Sequence, residues 1–341
     1  MENFPCLPNL IAHADWGSNP NKRWLARAVL KEDGYYWVAA PEKVIEPAGL
    51  ISGLQQASGP GGLTLVGFDF PIGLPQRYAE RCGIHDFVSM LTQFGHDEWA
   101  AFYQVAEQPE QISLKRPFYP QRPGHARQSD LTGALGAVSI DELRRLCELP
   151  RPGRRAAAPL FWTLGGQQVG KAAICGWQEV LAPALCHSPH TIAIWPFAGS
   201  LHELCQTGKT VITETYPAEF YSHLGIVFSS PKAGQKSGKR TQADRAANAH
   251  ILLGWAERAG LALAPQLCQS IESGFGSAQD GEDRFDATIG LFGMLNVVLG
   301  FHSPGDPTDE HLRKIEGWIL GQDVRGQDVP GQDVNNQQNI V

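Results

Sequence analysis

The sequence predicts an α/β domain built on a mixed sheet, and its first seventy residues carry that prediction. Four segments of β-forming residues surround one amphipathic segment in the order β-β-β-α-β: residues 10–15, 23–30, 35–40 and 63–69, with the helix at 46–57. The turn KEDG at 31–34 predicts an antiparallel hairpin between the second and third strands. The helix before the fourth strand lets that strand run parallel to the first.

The rest of the chain divides into an insertion, a second set of core elements and a tail. Residues 76–208 are predicted to form a mostly helical insertion, because a segment this long cannot be a simple connection. Strand character returns at 209–215, and helices are predicted for PAEFYSHLG, for 242–259 and for 282–299. We therefore expect one domain over residues 1–320. The GQDV repeats of residues 321–341 predict a disordered tail.

Composition limits the class of protein. No apolar stretch reaches membrane-spanning length, and the N-terminus lacks the pattern of a signal peptide. The lack of such a stretch predicts no membrane partner, and seven scattered cysteines without a CxxC motif predict reduced thiols in a cytoplasmic protein. A net charge of −7 argues against a general coat for nucleic acid. Basic residues nevertheless concentrate at 115–155 and 231–245, so a local polyanion-binding face remains open.

Acidic residues stand where three predicted strands end and where one helix begins. Asp15, Asp69 and Glu214 end the strands, and the helix carries Asp286 with Asp283 one turn earlier. Sites in open parallel sheets form at the carboxyl ends of the strands, so these acids are expected to converge if the strands are neighbours. Their repulsion then requires a counter-charge. Oxygen-only ligands suit Mg²⁺ or Mn²⁺, and two such ions about 3.5–4 Å apart can clamp a phosphodiester.

Each acid also has a structural interpretation, and the sequence leaves the structural and the metal-binding interpretations open. Asp69 can cap the turn that Pro71 and Gly73 form, and Asp15 can bond the turn that follows it. Glu214 can accept hydrogen bonds from the next helix N-terminus, and Asp283 can be a first-turn charge.

Two groups of residues are candidates for binding a phosphate backbone. Lys236, Lys239 and Arg240 can grip phosphates, or they can belong to a solvated loop. Arg116 and Tyr119 combine a cation with an aromatic ring, which suits a single strand but also suits ordinary packing. The segment GGQQVGK at 165–171 has phosphate-loop spacing but continues with alanine instead of Ser or Thr, which favours a plain helix start.

Several motifs together resemble an uncharacterised family of predicted ribonuclease H-like nucleases, domain of unknown function 429. They are HADWGS (13–18), VGFDFPIGLP (66–75), LFWTLGGQQVGKAAICGW (160–177), ITETYPAEFY (212–221) and DRFDATIG (283–290). The resemblance implies a five-stranded mixed sheet in the order 3-2-1-4-5 with strand 2 antiparallel. It also implies that four acids are the metal carboxylates: Asp15, Asp69, Glu214 and Asp286.

The resulting hypothesis is a hydrolase that cleaves phosphodiester bonds of nucleic acid with two Mg²⁺ or Mn²⁺ ions. In this hypothesis the four carboxylates and Asp283 hold the ions. DNA and RNA are both open as substrates. Two alternatives use the same fold: a phosphotransferase or ATPase of the actin-like class, and a non-catalytic adaptor that binds nucleic acid or protein.

Overall fold

A computed structural model describes residues 6–122, 124, 126–151, 154–164, 169–228 and 238–324. Within these ranges the chain is an α/β protein with a mixed sheet of eight strands, three more than the five expected. The strands are β1 (Leu10–Asp15), β2 (Trp24–Leu30), β3 (Tyr36–Val38), β4 (Glu42–Lys43), β5 (Thr64–Phe68), β6 (Ile192–Ile194), β7 (Thr210–Glu214) and β8 (Ala262–Leu263).

The strand order is β6-β7-β5-β1-β2-β3-β8, with the short β4 also paired to β2. Strand β2 runs antiparallel to its neighbours β1, β3 and β4. The pairs β1–β5, β5–β7, β6–β7 and β3–β8 are parallel. Strands β1, β5 and β7 therefore end at the same edge of the sheet.

Helices cover both faces of the sheet. They are α1 (Leu50–Ala57), α2 (Gln76–Cys82), α3 (Phe87–Leu91), α4 (Gln128–Leu135), α5 (Val169–Gly176), α6 (Ala182–His187), α7 (Leu201–Leu204), α8 (Pro217–Leu224), α9 (Gln242–Ala247), α10 (Ala249–Arg258), α11 (Pro265–Glu272) and α12 (Gly281–Val298). One face packs against α1 and the insertion, and the other packs against α8, α10, α11 and α12. Among the described residues, no helix combines the length and apolar character needed to span a membrane.

The core strands and helices expected from the sequence are present; the structure adds the short strands β4, β6 and β8 and differs from the expectation in two further places. Strand β6 lies inside the segment expected to be mostly helical, and it adds an edge strand next to β7. The helix expected at 242–259 is interrupted at Asn248, whose side chain donates to Val227 O and accepts from Val227 N. Gln322, in the predicted tail, is fully buried and donates to Cys147 O. Residues 325–341 of that tail lie outside the described residues.

Helix α12 approaches the sheet closely at a glycine. A Cβ atom on Gly290 would stand 2.1–2.3 Å from ring atoms of His13, a separation that real atoms do not reach. His13 is fully buried; its Nδ1 lies 3.1 Å from Ala287 O and its Nε2 lies 2.9 Å from Thr215 Oγ1. Because a carbonyl only accepts, Nδ1 carries the proton and Nε2 accepts from the threonine hydroxyl. The absent side chain thus lets one imidazole join the sheet to α12.

Gly290→Ala is therefore expected to lower the free energy of unfolding by about 1–3 kcal/mol, because the added methyl group overpacks a rigid contact. Chemical denaturation measures this change. Gly53→Ala is the matched control: Gly53 is also helical, but no atom lies within 4 Å of the added Cβ. That control is expected to be neutral or to stabilise by about 0.5–1 kcal/mol. Equal effects at the two positions would contradict the close contact.

Candidate functional site

Asp15 and Asp69 lie side by side at the carboxyl edge of the sheet. Ala14 of β1 pairs with Phe68 of β5, so the next residue on each strand occupies the same level and the same face. That face is the one covered by α12, because the alternate residues Ile11 and His13 also point to it. The strand pairing alone therefore brings these two carboxylates together.

Helix α12 adds Asp286 to the pair. Gly290 lies against His13, and Arg284 lies over Trp24, the cross-strand partner of Asp15. The helix therefore runs antiparallel to β1. Four residues of helix advance about 6 Å, and two residues of strand advance about 6.6 Å. Asp286, four residues before Gly290, therefore lies at the level of Asp15, two residues after His13. Asp286 is 5 % exposed and Asp15 is 8 % exposed, so both carboxyl groups are largely withdrawn from water.

Burial and mutual repulsion dominate the electrostatics of this cluster. Burial raises the pKa of Asp15 well above its ordinary value, and the charges of Asp69 and Asp286 raise it further. Burial likewise raises the pKa of Asp69 to about 7, although the Trp16 amide opposes the shift by donating to Asp69 Oδ1 at 2.6 Å. The site thus favours any positive charge that can reach it.

Lys239 supplies such a charge. It belongs to the 3₁₀ turn Gly238–Arg240, and its ammonium group contacts Asp286 directly and lies 3.4 Å from Glu282 Oε1. Burial by itself lowers the pKa of Lys239, but the Asp286 charge outweighs that effect and raises it. Tyr221 of α8 donates to Asp286 Oδ1 at 3.4 Å, which fixes the carboxylate from the other side.

Glu214 does not join the three aspartates. In the β5–β7 register Phe68 pairs with Glu214, so the residue level with Asp69 is Thr215. Successive strand residues point to opposite faces, and Glu214 therefore lies on the face away from α12. There it accepts two hydrogen bonds from Arg145, both 2.6 Å long, and one from the Ile72 amide. This carboxylate is already neutralised within the protein.

The remaining candidates lie in different environments. Asp283 is half-buried near the cluster, burial raises its pKa, and its Oδ2 has no hydrogen-bond partner in the described structure. Arg240 is exposed beside Lys239, and Lys236 falls outside the described residues. Arg116 donates to the carbonyl oxygens of Gln104 and Val105 in the insertion. Tyr119 is 2 % exposed and packs against Trp162, so its ring is part of the core.

Sequence reasoning did not identify Trp16, Thr215 and Tyr221 as neighbours of the acids. Trp16 and Thr215 immediately follow the identified residues Asp15 and Glu214. Moving the assumed pairing of β7 with β5 by one residue would have predicted Thr215 beside Asp69. No comparable signal marks Tyr221. It reaches Asp286 because α8 and α12 pack together.

The donor set fits a hard cation in chemistry but is not arranged around one. All candidate ligands are carboxylate oxygens, which suit Mg²⁺ or Mn²⁺. Among the described residues, no group of three or more His, Cys, Asp or Glu side chains stands in position to hold a metal ion. The direct contact of Lys239 with Asp286 is one physical reason, because an ammonium group already takes up part of the available negative charge.

Comparisons with known proteins give no relative. No family model matches the chain, and no curated protein or solved structure matches it significantly.

Proposed function

We propose that this protein is a divalent-cation-dependent hydrolase of phosphodiester bonds, acting on nucleic acid. The observation that carries the proposal is that Asp15, Asp69 and Asp286 come from two strands and a helix to one edge of the sheet, near enough for the charges of Asp69 and Asp286 to raise the pKa of Asp15. Their proximity costs stability through burial and repulsion, as their raised pKa values indicate. Such a cost is typical of functional sites.

The strand arrangement supports the same proposal. Strands β3-β2-β1-β5-β7 are adjacent in that order, and among them β2 alone is antiparallel to its neighbours. This is the arrangement implied by the resemblance to ribonuclease H-like nucleases. We further propose a cytoplasmic location, which is supported by seven free cysteines, all within the described residues.

In this proposal each residue would have a separate role. Asp15 and Asp69 would hold two Mg²⁺ or Mn²⁺ ions, and Asp286 would complete the set once Lys239 has withdrawn. Such ions supply Lewis acidity and an activated water for in-line displacement at phosphorus. The Trp16 amide and the Tyr221 hydroxyl keep Asp69 and Asp286 oriented. Lys239, released from Asp286, would face the phosphate and balance its charge.

This proposal predicts that Lys239→Met strengthens Mn²⁺ binding when no substrate is present. The substitution removes the ammonium group that competes for Asp286, so we expect the dissociation constant for Mn²⁺ to fall about 10-fold, equivalent to about 1.4 kcal/mol. Calorimetric titration of the whole chain measures it. Lys209→Met is the control, because Lys209 precedes β7 at the opposite edge of the sheet. Unchanged or weaker binding in the Lys239 variant would contradict the competition.

The activity itself is tested with labelled single-stranded DNA, duplex DNA and RNA, and with the small diester bis(4-nitrophenyl) phosphate. Hydrolysis is expected with Mn²⁺ and is expected to stop when EDTA is added. Absence of Mn²⁺ binding would overturn the proposal and favour a non-catalytic adaptor. Metal-dependent turnover of ATP without cleavage of any diester would favour the phosphotransferase alternative.

A further inference from the structure

One row of side chains crosses the sheet at the level of the acids and continues beyond them. Asp15 pairs with Trp24 across β1 and β2, and Trp24 pairs with Lys43 across β2 and β4. Paired residues share a face, so the row runs from Asp69 through Asp15 and Trp24 to Lys43 under the start of α12. The acids are therefore continuous with a basic and aromatic surface on the β2–β4 side.

Trp24 acts as a support for basic groups. Its ring is 9 % exposed, so it has no free face on which a base could stack. Instead, the Lys43 ammonium lies 4.2 Å from the ring centroid and the Arg284 guanidinium lies 5.5 Å from it. Such cation–π contacts favour a fixed position for a long basic side chain. The protein surface over Trp24 consequently carries positive charge.

Lys22 extends this positive surface. It ends the exposed 3₁₀ turn Pro20–Lys22, in the loop that connects β1 to β2. Lys43 Nζ donates a hydrogen bond to Asn21 O in the same turn, so Lys22 lies beside Lys43, at the end of the row that contains Asp15. Both lysines are exposed, and within the described residues neither forms an ion pair with a carboxylate.

We propose that Lys22 and Lys43, the latter braced by Trp24, form a phosphate-binding rim that positions a nucleic-acid strand across the acids. The inference rests on the proposed function and deepens it. The row places Lys43 two strands from Asp15, which is roughly 10 Å at 4.8 Å per strand, or about three nucleotides at a 3.4 Å rise. The rim thus binds flanking phosphates while the acids act on the scissile one. Lysine contacts to phosphate carry no sequence information, so the binding is sequence-independent.

The test compares Lys22→Ala/Lys43→Ala with Lys31→Ala/Lys209→Ala. Lys31 is a close match for Lys43, because it also lies over a tryptophan, 5.5 Å from the Trp37 ring, but at the far end of β2. Binding of a fluorescein-labelled dT₂₀ strand to the whole protein is measured by anisotropy between 50 and 200 mM NaCl with Ca²⁺ in place of Mn²⁺, and gel electrophoresis checks that the strand stays intact. Loss of two phosphate contacts is expected to reduce the slope of log K against log salt by about 1.4.

Activity on two substrates separates positioning from general damage. The rim variant is expected to raise KM for the oligonucleotide about 10-fold or more, because flanking phosphates lose their partners. Its hydrolysis of bis(4-nitrophenyl) phosphate, which is too small to reach the rim, is expected to stay within about twofold of the unmodified protein. The Mn²⁺ dissociation constant is expected to be unchanged as well.

The outcomes distinguish this inference from the proposed function. If the unmodified protein cleaves the strand and both double variants show the same slope of log K against log salt for strand binding, the rim is overturned and the hydrolase proposal stands. Strand binding that weakens in the rim variant alone, without any cleavage, would support the rim and overturn the hydrolase. Absence of strand binding by the unmodified protein would overturn the rim.

Discussion

Asp69→Asn is expected to reduce Mn²⁺-dependent diester hydrolysis at least 100-fold, and Asp15→Asn is expected to do the same. The asparagine keeps the shape of the side chain and can still accept the Trp16 amide, so the loop after β5 should be preserved. What it loses is the negative oxygen that a hard cation requires. Loss of residues that only orient metal ligands costs about 10–100-fold, so loss of a direct ligand should cost at least the upper figure.

Asp69→Asn should also stabilise the metal-free protein at high pH. The pKa of Asp69 rises from 3.8 in the unfolded chain to about 7 in the fold. Between those values the unfolded chain is ionised while the fold retains a proton, so the aspartate costs stability progressively as pH rises through this window. Asparagine cannot ionise. In EDTA at pH 8 we therefore expect the free energy of unfolding to increase by about 1–2 kcal/mol after screening, with the gain vanishing near pH 4.

Glu214→Gln tests whether Glu214, on the opposite face of the sheet, takes part in metal binding. Glu214 points away from the aspartates and is bonded to Arg145, so the variant should lose stability but keep the Mn²⁺ dissociation constant of the unmodified protein. Titration calorimetry and denaturation of the same samples give both values. Mn²⁺ affinity that falls in Glu214→Gln as steeply as in Asp69→Asn would contradict the site described here.

Arg145→Met is expected to lower the free energy of unfolding by about 3–5 kcal/mol, the second large effect. Arg145 is fully buried and bonds to the carboxylates of Glu148 and Glu214 and to the carbonyl oxygens of Ile72 and Glu316. It thereby joins the insertion, the loop after β5, the end of β7 and the C-terminal segment. Methionine fills similar space but leaves buried carboxylates without a counter-charge.

Two comparisons test that explanation. Arg77→Met breaks an exposed pair with Glu80, 3.1 Å long, and should change stability by less than about 1 kcal/mol. In the Arg145 variant the penalty should shrink as pH falls from 7 to 5, because the unpaired carboxylates can then take up protons. Adding Glu214→Gln to Arg145→Met should also restore part of the loss, a coupling that a double-mutant cycle measures. A penalty independent of pH would indicate lost packing instead of lost charge.

Short-range signals predicted most of the core. The sequence predicts the first strand at residues 10–15, where Leu10–Asp15 is observed, and the turn residues at 31–34 predict the hairpin of β2 and β3. These features depend on side-chain alternation and turn chemistry, which are local. Strands β4, β6 and β8 are not predicted because they have only two or three residues each, too few to show a period.

The candidate site was predictable only in part, and register explains the division. Asp15, Asp69 and Asp286 were expected together and are close in the structure, with Lys239 beside them. Glu214 was expected with them because it also ends a strand. A shift of one residue in register reverses the face of every side chain on a strand, and no local feature of KTVITET fixes that register.

The sequence by itself determined which elements form and which residues stand at strand ends and helix starts, because those properties follow from local propensity and periodicity. Only the tertiary structure decided which of these acids share a space. That decision came from strand pairing, from the glycine that lets α12 settle on His13, and from a buried arginine that neutralises Glu214 on the opposite face. Each of these depends on residues distant in the chain, and their packing is what turns separate acids into one site.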